Sequence, residues 1–299
     1  MIKKNLTLIL FVFSLFLFNV SSQEYGLVLA GGGGKGAYQV GVWKALTEYG
    51  FAQKVTAISG TSVGGLNGGI FACEEIEKIE DVWTNEVPWE LYDNTLELID
   101  EEGLSRIIDK VNLSFFNKKY SYPKVYVTTA RKRFWPVKFI LKILDVEFPH
   151  RFLLNTEPDI LEIKKMLLAT SAFPVVTKAV LLKDGYYHVD GGLSDNVPIS
   201  PLLDKYRNGK LEQIFVIYLD HSPSRLLSKD YPDVSILEII PSEELGGLFE
   251  GTTNFSRSKI NHLIQLGYDD TVKILKENNL YPVSRFWFKD THNSTMVVK

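Results

Sequence analysis

The stretch LVLAGGGGKGAYQVGVW at residues 27–43 constrains the fold more than any other. A short apolar run with strand character meets Gly31, Gly32, Gly33 and Gly34, then Lys35 and Gly36. Val40, Trp43 and Leu46 follow at helical spacing until Gly50 stops the pattern. Backbone without side chains, placed between a strand and a helix, exposes N–H groups at a helix N-terminus, where negative charge is favoured. Such a nest suits phosphate or an oxyanion; a purely structural turn, which needs one or two glycines and rarely five, is the plainer alternative.

The remaining chain alternates strand and helix signals. KVTAISG (54–60) reads as a second strand and SVGGLNGGIFA (62–72) as a second helix start. KVYVTTA (124–130) alternates like a strand, DILEIKKMLLATSA (159–172) is helical, and EQIFVIYLD (212–220) is a buried strand. In ISPLLDKY, Ser200 is the expected N-cap and Pro201 the first helical residue. Ile260, Leu263, Ile264, Gly267, Val272 and Leu275 trace a last helical stripe. This pattern predicts an α/β fold with a mostly parallel sheet and helices on both faces. Ligands in such sheets sit at the carboxyl ends of the strands, where the glycine run begins.

The glycine run also matches G-x-G-x-x-G, but a dinucleotide site wants an acid at the end of the second strand, which here ends AISG. A P-loop is excluded because Gly36, not Ser or Thr, follows Lys35. Gly60-Thr61-Ser62-Val63-Gly64 fits G-x-S-x-G between a strand and a helix start. A nucleophilic serine needs such a sharp turn, with glycines that let neighbouring backbone pass. A helix-capping serine is the plainer reading. In YYHVDGGLSDNVP (186–198), Asp190 precedes Gly191 and Gly192. A buried aspartate with a raised pKa could take the proton of a serine, whereas a plain Asp-Gly turn is equally compatible with these residues.

Histidine offers a competing arrangement. The five are His150, His188, His221, His262 and His292. The order Ser62, Asp190, His221 is that of an α/β-hydrolase triad, although only two strands precede Ser62 where that fold has several. His188 lies two residues before Asp190, on the same side of a strand, where it could tune Asp190; a surface or core-satisfied histidine is the preferred reading.

At the N-terminus, Lys3 and Lys4 precede an apolar run at 6–18 and then NVSSQ. This reads as a signal peptide cleaved after Ser22, hence export to the periplasm or beyond, with an uncleaved anchor as the alternative. Cleavage takes away both lysines and no acid, shifting the formal charge from −3 to −5. That balance carries no footprint for nucleic acid. The single cysteine, Cys73, permits no internal disulfide and reads as a small buried hydrophobe. Without repeats or linkers, residues 23–299 are expected to form one domain.

Taken together, GGGGKG at 31–36, GTSVG at 60–64 and DGG at 190–192 resemble the patatin-like phospholipase family, whose pattern is G-G-G-x-[KR]-G, G-x-S-x-G and D-G-[GA] in that order. ATSAFPVV at 169–176 and GYDD at 267–270 add to the resemblance, the latter fitting bacterial members. It covers about residues 25–275. It implies a three-layer α/β fold with a mostly parallel central sheet flanked by helices, and a lipid acyl hydrolase using a Ser–Asp dyad and no cofactor. On this chain it implies Ser62 as nucleophile, Asp190 as base, and the backbone of Gly32, Gly33 and Gly34 as oxyanion hole. Lys35 fills the family's basic position. The substrate it implies is a phospholipid or other acyl-ester lipid, and no calcium loop is visible, so hydrolysis is expected to be metal-independent. A non-catalytic lipid-binding protein is the remaining alternative.

Three segments are candidates for lipid contact or for covering the site. ARKRFWPVKFILKIL (130–144) mixes basic and aromatic residues suited to a lipid–water interface, with an ordinary solvated edge as the alternative. Residues 86–104 and 228–251 are candidate covers.

Overall fold

The structure is a computed structural model that describes residues 23–92, 101–118, 122–132, 146–174 and 177–282. The expected signal peptide, His292, most of the basic-aromatic segment and part of the first candidate cover therefore lie outside the described residues.

A five-strand parallel core forms the centre of an eight-stranded sheet. Its order is β3 (Lys124–Lys132), β2 (Val55–Thr61), β1 (Tyr25–Leu29), β7 (Gln213–Ile217) and β8 (Ile236–Ile239). Antiparallel pairing completes it at β3: β4 (Val146–Leu153) pairs along one edge of that strand, and β6 (Tyr187–Asp190), which carries the two-residue β5 (Val180–Leu181), pairs with β3 just past the end of β2. Central strands covered on both faces read as continuous apolar runs. In β1, Leu27 and Leu29 join the larger core, whereas Val28 joins the smaller core on the opposite face.

Helices α1 (Ala37–Glu48), α2 (Val63–Cys73), α6 (Ile160–Thr170) and α9 (Arg257–Glu277) bury their apolar faces in the larger core. Helix α7 (Ser200–Arg207) covers the other face with Leu202 and Leu203, beside Leu227 of the short α8 (Leu227–Asp230). The remaining helices, α3 (Ile76–Asp81), α4 (Val87–Tyr92) and α5 (Glu101–Asp109), flank α2. The expected mixed α/β fold, with a mostly parallel central sheet between helices, is what the chain forms.

Helices α1 and α9 cross in backbone contact. A Cβ on Gly41 would fall 1.9 Å from the Ile264 carbonyl, and one on Gly267 would fall 2.1 Å from that of Tyr38. Three residues beyond Gly267, buried Asp270 accepts the Tyr38 hydroxyl at 3.0 Å. The GYDD segment thus fastens two helices and lies outside the chemistry.

Three expectations need correction. Ser200 is the first helical residue of α7 rather than its cap; Ile199 occupies the cap, and Pro201 follows without losing a needed donor. Cys73 is half-buried at the edge of the larger core, where burial pushes its thiol up to about 12. Residues 228–251 are no loose cover, because they supply β8 and then a turn whose backbone walls the glycine loop.

Candidate active site

Register alone brings the serine and the aspartate together. Strand β2 pairs with β3 up to Thr61 opposite Thr128, and β6 pairs with β3 from Asp190 opposite Thr129. The residue after Thr61 and the last residue of β6 therefore meet where these two strands adjoin along β3. Ser62 Oγ donates to Asp190 Oδ2 at 2.6 Å.

Ser62 stands between β2 and α2 with φ 53° and ψ −128°. A non-glycine residue in this region costs about 1–3 kcal/mol and persists only where its surroundings impose it. Those surroundings are explicit. The Ser62 amide donates to Thr170 Oγ1 at 2.9 Å, and that hydroxyl donates in turn to the Thr128 carbonyl at 2.5 Å. The Ser62 carbonyl accepts the amides of Gly65 and Leu66 at 2.9 and 3.1 Å. The motif glycines are steric necessities: a Cβ on Gly60 would lie 2.1 Å from the Gly64 carbonyl oxygen, and one on Gly64 2.3 Å from that of Leu29.

Asp190 is held as firmly. Its amide donates to the Ala172 carbonyl at 2.9 Å, and its Oδ1 accepts the Gly192 amide at 2.7 Å. Gly191 leaves no room for a side chain, because a Cβ would sit 2.2 Å from the Thr128 carbonyl oxygen. Burial lifts the Asp190 carboxyl to about 6, against the opposing hydrogen bonds from Ser62 and Gly192. The carboxyl is thus a much stronger base than a solvated aspartate and is still ionised at neutral pH.

The glycine loop lies directly over the serine. A Cβ on Gly31 would be 3.0 Å from Ser62 Cβ and 2.5 Å from Asn196 Oδ1. Asn196 grips Gly31 from both sides, its carbonyl accepting the Gly31 amide at 3.2 Å and its Nδ2 donating to the Gly31 carbonyl at 3.3 Å. Gly32 and Gly33 line a cavity that also contains Ser62 and Asp190. Gly33 has φ 57° and opens a one-turn helix of residues Gly33–Gly36, whose first amides have no partner within the turn. Gly34 lies behind the cavity wall, against the carbonyls of Gly251 and Asn254, and Gly36 packs on Val63. Lys35 lines the cavity; burial lowers its pKa, with Asp220 opposing that shift.

Sequence reasoning missed a buried network under this loop. Gln39 Nε2 donates to the Ala30 carbonyl at 2.8 Å. Asn67 Nδ2 donates to Gln39 Oε1 at 2.8 Å and to the Gly36 carbonyl at 3.0 Å, while Trp83 Nε1 donates to Asn67 Oδ1 at 3.0 Å. Asn67→Leu leaves two buried side-chain groups, Gln39 Oε1 and Trp83 Nε1, without the partners described, at about 1–3 kcal/mol each. We expect it to lower the melting temperature by about 5–10 °C in a calorimetric scan; a shift below 2 °C would show that the network holds nothing.

The triad lacks its imidazole. Among the described residues, no histidine hydrogen-bonds Ser62 or Asp190. His221 Nδ1 is engaged by the Pro241 carbonyl at 2.8 Å. His188 is fully buried, with Nδ1 2.8 Å from Thr129 Oγ1 and Nε2 2.9 Å from Asp184 Oδ2, and burial lowers its pKa. It is a satisfied core histidine. Among the described residues, no three His, Cys, Asp or Glu side chains converge on a possible metal position.

The cavity measures about 800 Å³. It is lined by the glycine loop, Ser62, Asp190 and Asn196, and by the apolar Leu66, Ile70, Trp83, Leu91, Ile107 and Leu167. Ser62, Leu66 and Ile70 recur at helical spacing on one face of α2, so an apolar arm of the cavity is read as following that helix away from Ser62. A mostly apolar pocket with a few convergent polar groups suits a ligand with a hydrocarbon part and one reacting group.

Comparison with known proteins places the chain in a family. A family model described as patatin-like phospholipase matches residues 27–203. The chain is 27% identical over 264 residues to patatin-like phospholipase domain-containing protein 4 of Homo sapiens, covering 86% of this chain and 98% of that one. It is 26% identical over 222 residues to lysophospholipase NTE1 of Cryptococcus neoformans, covering 71% of this chain and only 12% of that much longer relative. The crystal structure of VipD from Legionella pneumophila shares the fold, with a TM-score of 0.53 at 15% identity over 85% of this chain and 67% of that one.

Proposed function

The chain belongs to the patatin-like phospholipase family, and from that premise we propose that it is a serine lipid acyl hydrolase working through a Ser62–Asp190 dyad. One observation carries the reading: the 2.6 Å hydrogen bond from Ser62 Oγ to a buried carboxylate whose pKa is raised to about 6. Ser62 Oγ attacks the ester carbonyl carbon as its proton passes to Asp190 Oδ2. The tetrahedral oxyanion is met by the amides of Gly32 and Gly33, backed by Gly34. One such donor is worth about 10²–10³-fold in rate. Protonated Asp190 returns the proton to the departing alcohol. It then takes a proton from the water that attacks the acyl-enzyme and passes it to Ser62 Oγ as the fatty acid leaves, which restores the dyad.

The substrate class is a phospholipid, lysophospholipid or related acyl ester. Transient contact with a lipid surface is part of the proposal. Phe173 lines the cavity while 41% exposed, and Trp89, between the cavity-lining Val87 and Leu91, is 72% exposed. We also propose export, on the strength of the basic and apolar residues at 3–18. Among the described residues, no helix is long and apolar enough to cross a membrane.

The test is release of fatty acid from phosphatidylcholine and lysophosphatidylcholine vesicles, together with labelling by a fluorophosphonate. Turnover with a mass adduct on Ser62 supports the reading; an inert protein that takes no label refutes it and favours lipid binding without catalysis. The dyad also sets a pH dependence. Only ionised Asp190 can accept the proton, so kcat/KM should rise with pH and reach half its plateau near pH 6. A midpoint near 4, the value of a solvated aspartate, would show that the base lacks the raised pKa on which the reading rests.

A further inference from the structure

Helix α2 carries four glycines, and packing accounts for three of them. A Cβ on Gly64 would strike the Leu29 carbonyl at 2.3 Å, one on Gly65 would meet Val127 Cγ1 at 2.6 Å, and one on Gly68 would meet Ile58 Cγ2 at 3.0 Å. Gly69 differs. A Cβ there would meet only Leu167, at 3.4 and 3.8 Å, which is ordinary contact. Glycine inside a helix is less favourable than alanine, so its presence where a side chain would fit needs another reason. Gly69 lines the cavity, on the same wall as Leu66 and Ile70. Leu104, Ile107 and Val111, three and four residues apart on and just beyond α5, line the same apolar arm, and nothing polar stands among these six residues.

We propose that this arm takes the acyl chain of the ester, and that Gly69 is a specificity-determining residue that keeps the arm open to chains longer than about eight carbons. The inference rests on the acyl-hydrolase reading above. Ser62, where the carbonyl carbon must sit, lies at one end of the arm. Gly69 is seven residues further along α2, about 10 Å at the helical rise of 1.5 Å per residue. An extended hydrocarbon with C–C bonds near 1.5 Å covers that distance in about eight carbons. A side chain at position 69 would stand in the path of the next methylenes, while the ester and the first carbons would be bound as before. The alcohol or headgroup leaves at the other end, where the cavity is lined by Lys35, Asp220 and Arg225. Such an arm selects for one long acyl chain on the reacting ester.

The experiment compares the wild-type protein with Gly69→Ala and Gly69→Leu on p-nitrophenyl butyrate, octanoate, dodecanoate and hexadecanoate. The readout is the ratio of kcat/KM for dodecanoate to that for butyrate. We expect the ratio to fall at least tenfold in Gly69→Leu and by a smaller factor in Gly69→Ala, whose methyl fits without displacing Leu167. A ratio that stays constant, with all lengths falling together, would assign Gly69 to packing and overturn the proposal. Equilibrium binding of dansyl-undecanoate, followed by fluorescence, reads the arm without turnover. At least tenfold weaker binding to Gly69→Leu is expected, and equal binding to both proteins overturns the proposal. Should Gly69→Leu not fold, Gly69→Ala carries the same two measurements. A wild type that hydrolyses no ester yet shows the binding difference would sink the hydrolase reading and leave the arm standing. A wild type that turns over with an unaltered length ratio would do the reverse.

Discussion

Ser62→Ala should lower ester hydrolysis by about 10⁴-fold or more, as removal of a serine nucleophile does elsewhere, with no loss of fold in circular dichroism. Alanine inherits the φ of 53° at position 62 and with it the strain of the turn. Ser62→Gly should be equally inactive but more stable, by about 1 kcal/mol, because glycine enters this region without penalty. Asp190→Asn should cost about 10²–10⁴ in rate through loss of the proton acceptor. Its stability carries a sign that tests the electrostatics independently. The folded carboxyl titrates near 6 and the unfolded one near 4. Burying the charge therefore destabilises the wild type by about 3 kcal/mol above pH 6, and by nothing once both states are protonated. Asp190→Asn should accordingly melt above the wild type at pH 8, and the advantage should shrink as pH falls from 6 towards 4. If the difference between the two proteins shows no pH dependence, the carboxyl is not held in the environment described. If Ser62→Ala keeps more than a hundredth of the activity, another residue is the nucleophile.

The second large effect is Gly64→Ala. Its Cβ would lie 2.3 Å from the Leu29 carbonyl and 2.7 Å from that of Ala30, and both belong to the central β1 region, which cannot yield. Forcing a methyl against fixed backbone costs about 3 kcal/mol or more. The turn that presents Ser62 would deform, so we expect the melting temperature to fall by about 6–12 °C and activity to fall with it. The same substitution five residues later should act in the opposite direction. Gly69→Ala meets nothing closer than 3.4 Å and exchanges a glycine for the best helix former, a gain of about 0.5–1 kcal/mol. Thermal scans of the two proteins side by side decide the matter; equal destabilisation would show that neither glycine is placed for the reason given.

Much of this site was legible in the chain, because strand-to-turn-to-helix punctuation is local. Five glycines after an apolar run, G-x-S-x-G after the next, and Asp-Gly-Gly after a short alternating run mark three turns at the same edge of one sheet. What those marks could not convey is who holds the turns in place. Thr170 reaches the Ser62 amide from the end of a helix more than a hundred residues away, and Asn196 grips Gly31 across a similar span. Neither stands out in ATSA or SDNVP, since hydroxyl and amide side chains are common in loops for local reasons. Asn67 left a fainter trace, as a polar residue in the otherwise apolar and glycine-rich GGLNGGIFA. Ser200 shows the opposite failure. It has the right chemistry for a cap, yet the chain enters the helix one residue earlier, and the cap position falls to Ile199. The turn after β8 gave no signal for its role, because it contacts the glycine loop through main-chain carbonyls, to which almost any sequence is equivalent.

The place of β1 in the sheet makes the glycine run depend on residues that are synthesised late. A chain synthesised as far as Gly192 already carries every group that the proposed mechanism uses: the glycine run, Ser62 and Asp190. It does not yet carry β7, which flanks β1 on its open side, or the Ile217 carbonyl that receives the Ala30 amide at 3.1 Å at the threshold of the glycine run. It also lacks the carbonyls of Gly251, Thr252 and Asn254, which form the outer wall of the loop, and α9, which grips α1 just behind it. Until the final quarter of the polypeptide has been added and has folded back onto the first fifty residues, the glycine run lacks these contacts. On the acyl-hydrolase reading proposed above, a chain still being made would lack the walls of its own site, and the order in which its parts arrive would hold back its activity until synthesis is complete.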